Sequence, residues 1–186
     1  MRFFKSNGGI SGSTQSIQLI IHNSGNSPVV ILSIDANIVE RQPPLKGWFV
    51  TENWGCGGGD LISSHIASID LDSNSIPKAV FHEENNNDSR VSKSLLIPKG
   101  DLAIVELYAS TRKSYIKWKP KITYFADGKL TEADIYDIDK KAFEVTSASG
   151  SKSYGIEDGK LIRKPEWDNG ITLCTSKSKL MARANK

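Results

Sequence analysis

A lone thiol in a glycine loop is the first place in this chain where chemistry could reside: Trp54-Gly55-Cys56-Gly57-Gly58-Gly59-Asp60. A nucleophilic cysteine needs a base in reach, and glycine amides can cradle an anion. The chain holds three histidines, His22, His65 and His82. His65 is near Cys56 in sequence, but a partner in space cannot be read from spacing. No Lys-Ser or Lys-Thr follows the glycines, and no helical pattern does, so this is not a phosphate loop. The competing explanation is mechanical. Glycines let the loop turn sharply, and Trp48, Phe49 and Trp54 pin it as an apolar lid on one end of the domain. That explanation is favoured, with Cys56 incidental.

Other chemical candidates are weaker. Cys56, His65, Asp70 and Asp72 lack the tight pairs of a zinc site. The run Asp70 to Ser75 alternates oxygens like a calcium loop, but it has no glycine at the sixth place and no closing glutamate. A solvated turn accounts for it. Glu83, Glu84 and Asp88 lie in an asparagine-rich loop with nothing to separate their pKa values. Lys113, Lys117, Lys119 and Lys121, interleaved with Arg112, Tyr115 and Trp118, invite an anion or nucleic-acid reading. Strand alternation puts Trp118 opposite Lys117 and Lys119, so the aromatic is core and the lysines a solvated face.

The elements that must position these residues are strands. Ile17, Leu19 and Ile21 share a face at period two, and Ile34, Ala36 and Ile38 do the same. Between them lies "NSGNSP", with Gly25 expected at positive φ, so residues 16–22 and 29–40 read as a first hairpin. Residues 41–63 show no periodicity and read as a long connection, of a kind that is usually functional or packed on itself. Strands resume at "HIASIDL", "PKAVFH", "RVSKSLLI", "LAIVELYAS" and "YIKWKPKITYFA". Pro98 and Gly100 form a turn. Pro120 predicts an edge strand or a bulge, and Asp127-Gly128 a tight hairpin. After "KAFEVTS" the composition turns Ser/Gly-rich, and the last residues are basic and polar.

With 186 residues, 38% hydrophobic and 24% charged, the chain is one ordinary domain with a real core. A net charge of +3 does not by itself imply nucleic acid. No stretch approaches the roughly 18 apolar residues of a membrane span. Two cysteines make no disulfide framework, which favours a reducing compartment. The expected class is all-β, an antiparallel β-sandwich over residues 16–147. A flexible segment (1–15) precedes it, and a Ser/Gly-rich then basic tail (148–186) packs partly on it.

The segments "IQLIIHNSGNSPVVILSIDANI" and "LLIPKGDLAIVEL" resemble bacterial immunoglobulin-like or fibronectin-like modules. There a strand ends in Asn-x-Gly, a proline opens the next, and a proline-glycine turn precedes a central strand. With the Cys-Gly-Gly-Gly loop, the chain is similar to bacterial accessory β-sandwich domains. The Cys-Trp-Cys signature of antibody domains is absent. The resemblance implies an immunoglobulin-like fold without shared catalytic residues, so function rests on the site. The expectation is a non-enzymatic interaction module of a larger assembly, cytoplasmic, without cofactor or metal. It would recognise a protein rather than nucleic acid through loop 41–63, using Trp48, Phe49, Trp54, Cys56 and Asp60. The chain as given has no membrane span, which is compatible with an anchor upstream. The alternatives are an enzyme or redox protein using Cys56, and an anion or nucleic-acid binder using the Lys113–Lys121 strand.

Overall fold

The computed structural model describes residues 9–52, 65–82, 94–137, 140–157 and 160–165. Among them are thirteen strands and no α-helix. In chain order these are β1 (Ser11–Gly12), β2 (Thr14–His22), β3 (Val29–Gln42), β4 (Trp48–Glu52) and β5 (His65–Asp70). Then come β6 (Val80–His82), β7 (Leu95–Ile97), β8 (Leu102–Ser110) and β9 (Tyr115–Ala126). The last are β10 (Lys129–Asp134), β11 (Phe143–Thr146), β12 (Lys152–Glu157) and β13 (Lys160–Arg163). The chain is all-β.

One sheet has the order β1-β11-β9-β3-β7, with β10 also paired to β9. A second has the order β2-β8-β5-β6. Both feed one core. Ile31, Ile34, Ile116 and Trp118 from the first meet Leu19, Ala67, Ile69, Val105 and Leu107 from the second. The alternations read from the sequence fall as expected, with Ile34, Ala36, Val105 and Leu107 inward. Trp118 is fully buried, and its indole N–H donates to Oε1 of buried Gln15 on the opposite sheet at 3.2 Å.

The pairing is not purely antiparallel as expected. β1–β11, β5–β8 and β4–β12 are parallel. Parallel neighbours need crossovers between them, and this chain changes sheets repeatedly instead of meandering through hairpins. Ser13 shows one such change. It sits at φ 59 between β1 and β2. Its N–H donates to the Thr146 carbonyl of the first sheet at 2.7 Å, and its carbonyl accepts from Thr111 N, just past β8, at 2.9 Å.

The expected hairpin of β2 with β3 does not form. β2 pairs with β8, while β3 pairs with β7 and β9. The loop between them arches over the core, and buried Asn23 ties it down. Its Nδ2 donates to the carbonyls of Ser27, Ile97 and Pro98 at 2.9, 3.1 and 3.0 Å. Gly25 lacks the expected positive φ; its amide donates to Asn23 Oδ1 instead. Pro120 is likewise not at an edge. β9 is interior, with β3 along its whole length on one side and β11 then β10 on the other. Pro120 stands where those two partners change over. Opposite it, the Ala36 amide points away from β9 to the Pro77 carbonyl, so this pair needs no ladder bond from Pro120. The two sequence-predicted turns do form. Asp127 and Gly128 take φ 49 and 74 between β9 and β10, and Gly100 takes φ 79 after Pro98.

A third, small sheet has the order β13-β12-β4. It draws on residues expected to be loop and tail. β3 runs on to Gln42 and β4 follows within the segment read as an unbroken connection.

Candidate functional site

The small sheet carries β4 of the expected recognition segment, whose first two residues close β3 of the large sheet. Alternation along β4 sends neighbouring aromatics to opposite faces. Phe49, in register with buried Ser153, faces the domain. Its ring lies against Gly12 of β1 so closely that a β-carbon there would overlap it. The approach to β4 is tied to the same place, since Leu45 N donates to Thr146 Oγ1 at 3.0 Å.

Trp48 therefore faces out, and 68% of it is exposed. It does not hang free. Its ring centroid is 5.2 Å from that of Tyr154 on β12, tilted by 39°. The Arg163 guanidinium lies 5.6 Å from the Tyr154 ring, and its Nη1 donates to the Ser153 carbonyl at 2.9 Å. Register places Lys152 beside Trp48, Val50 beside Tyr154, and Ile156 beside Leu161, all on this outer face. Leu161 is 52% exposed. A cleft of about 230 Å³ runs under the start of β4, lined by Lys46, Trp48, Phe49, Gly12 and Thr146 among others. The surface is thus aromatic and aliphatic in the middle, with Lys46 and Lys152 near Trp48 and Glu52 in register with Ile156 at the far end of β4.

Of the residues singled out in the sequence, the structure brings Trp48 and Phe49 to this sheet on opposite faces. Trp54, Cys56 and Asp60 lie outside the described residues. Tyr154, Arg163, Lys152 and Leu161 were missed. They sit in and just after the Ser/Gly-rich stretch, where four- and six-residue strands are too short to announce themselves. The available signal was the spacing of Tyr154 and Ile156, two apart like Trp48 and Val50.

The lysine row on β9 lies, as predicted, opposite Trp118. Each of its members has company. Lys117 Nζ is 2.9 Å from Glu40, and Lys121 Nζ is 2.9 Å from Glu132. Lys119 Nζ lies 4.8 Å from the Tyr136 ring. Hydrogen bonding to Glu40 and Glu132 raises the pKa of Lys117 and Lys121 respectively.

The run Asp70–Ser75 is a braced turn. Asp70 Oδ1 accepts from Asp72 N at 3.0 Å. The Asp72 carboxylate accepts from Thr111 Oγ1 at 2.8 Å and Arg112 N at 2.6 Å, with Arg41 Nη1 at 3.6 Å. Open grooves of about 680 and 800 Å³ flank this turn.

One nucleophile and base do meet. Ser68 Oγ and His82 Nε2 are 2.8 Å apart on the outer face of the second sheet. Burial pushes the His82 pKa down, which favours the neutral ring. Ser68 is in register with Tyr108 on one side and Val80 on the other, so its backbone stands between two ladders.

No helix among the described residues is long and apolar enough to cross a membrane. No protein-family model, curated protein or solved structure matches the chain.

Proposed function

We propose that this chain is a non-enzymatic interaction module, an accessory part of a larger bacterial assembly, that recognises a protein through the outer face of the small sheet. The observation that carries this reading is Trp48. A large aromatic is turned to solvent on a regular strand, held by Tyr154, while its neighbour Phe49 anchors the strand behind it. Exposed tryptophan, tyrosine and arginine grouped on a rigid element are the residues that dominate interface energetics. A cytoplasmic setting belongs to the same proposal.

The immunoglobulin-like reading of the fold is part of it. The orders β2-β8-β5 and β3-β9-β11 follow strands B-E-D and C-F-G of immunoglobulin-like sandwiches. The parallel pairing of β5 with β8 departs from that pattern. So does the position of Trp118 on the strand matching F, where antibody domains carry their tryptophan on C.

The alternative that uses Cys56 lies outside the described residues; a Ser68–His82 reading and the lysine-strand alternative draw less support. Acyl transfer at Ser68 needs free amides aimed at a developing oxyanion, and strand pairing on both sides of Ser68 engages the amides nearest it. Two of the three lysines on β9, Lys117 and Lys121, are paired with carboxylates, which suits a solvated face better than a polyanion track. The test is an affinity capture from the native host with wild type and Trp48→Ala as baits. The proposal expects a partner retained by wild type and lost by a folded variant. A partner retained equally by both refutes it.

A further inference from the structure

Resting on that reading, we infer that the partner presents a short acidic segment with apolar anchors, laid across the face formed by Trp48, Tyr154 and Leu161. Three features of the face select this chemistry. Its middle is apolar and part aliphatic, with Leu161 half exposed beside Ile156. Aliphatic surface rewards a peptide side chain, whereas bases seek aromatic planes to stack on. Among the described residues Trp48 is the one broadly exposed aromatic on it, since Arg163 lies over the Tyr154 ring. One stacking plane does not make a track for successive bases.

The rim gives the sign of the partner's charge. Lys152 is exposed and flanks Trp48 in register. Lys46 is exposed at the cleft beneath Trp48. Like charges brought to such a rim are penalised and opposite charges are steered in, so carboxylates flanking an apolar anchor fit where lysines do not.

The experiment uses the full chain and labelled synthetic peptides, read by fluorescence anisotropy. One peptide alternates Asp and Glu with Phe and Leu. A second replaces its acids by Lys, and a third replaces its apolar residues by Ser. Oligothymidylate is the nucleic-acid probe. The acidic apolar peptide should bind more tightly than all three, and its affinity should fall as salt rises. The double reversal Lys46→Glu with Lys152→Glu should weaken it by at least about tenfold. Both lysines are exposed, and circular dichroism checks that the variant remains folded. Equal binding of the lysine peptide, tighter binding of oligothymidylate, or indifference to the charge reversal overturns the inference. The two levels fail separately. A native partner lost by Trp48→Ala but indifferent to the double reversal leaves the module reading standing and removes only the acidic partner.

Discussion

Gly12 is the residue on which the presentation of Trp48 rests, and replacing it by alanine makes a sharp test. The Gly12 backbone is not in the left-handed region, so alanine is tolerated there by the main chain. The difficulty is steric. A β-carbon would enter the space of the Phe49 Cδ2 and Cε2 atoms. The ring must move, and overpacking of this kind costs about 1–3 kcal/mol. Phe49→Ala alone loses the burial of a partly exposed ring, about 1–2 kcal/mol. Once the ring is gone, Gly12→Ala should cost within about 0.5 kcal/mol. The double-mutant cycle should therefore return a coupling of about 1–3 kcal/mol. Urea unfolding of the four proteins measures it. Hydrogen exchange of β12 amides should rise in Gly12→Ala, because the small sheet loses its anchor while the main core keeps its own. If Gly12→Ala costs the same with and without the Phe49 ring, the proposed seating of β4 is wrong.

Three further outcomes follow from other parts of the molecule. Trp118→Phe leaves buried Gln15 Oε1 without its donor and should cost about 1–3 kcal/mol beyond the lost volume; adding Gln15→Met should recover part of that in a urea titration. Burial holds the folded-state pKa of His82 below its ordinary value, so the unfolded chain takes up a proton first as pH falls. The His82 contribution is complete above about pH 6.5 and declines below it; the urea midpoint should fall from about pH 7.5 to about pH 5.5, less steeply in His82→Gln, and an equal decline in both proteins contradicts the assignment. On the lysine strand, Glu40→Gln with Glu132→Gln unbalances Lys117 and Lys121, so heparin retention should rise above wild type at low salt; unchanged retention means the pairs do not mask the lysines.

Much of the fold was legible because burial of one face imposes period two. β3, β5, β8 and β9 carry that period over enough residues to be read, and Trp118 fell on the inner face as the alternation required. What failed was most of what depends on which strands meet, the Asp127-Gly128 hairpin of β9 with β10 excepted. β2 and β3 look like a hairpin because they are adjacent and separated by turn formers, but the decisive contacts are those of Asn23 with carbonyls about 75 residues away. Pro120 suggested an edge or a bulge, because the handover from β11 to β10 beside it has no local signature; the strand is not an edge, and the irregularities of the β3–β9 pair fall at Leu32 and Val39 of β3. β4 was hidden by its brevity, and by two adjacent aromatics that resemble a hydrophobic cluster more than an alternation. Trp48 could be named as an anchor from its type. Its partner Tyr154 could not, because the two-residue spacing of Tyr154 and Ile156 hints at a strand but not at which strand, a hundred residues away, it meets in parallel.

Photo-crosslinking tests recognition through the outer face of the small sheet most directly. A photoreactive phenylalanine derivative replaces Trp48 in one protein and Phe125, exposed on the large sheet, in another. Both are expressed in the native host and irradiated. The account predicts a discrete protein adduct from position 48 and none from position 125. An adduct from position 125 with none from position 48 would contradict it and move the recognition surface to the far end of β9.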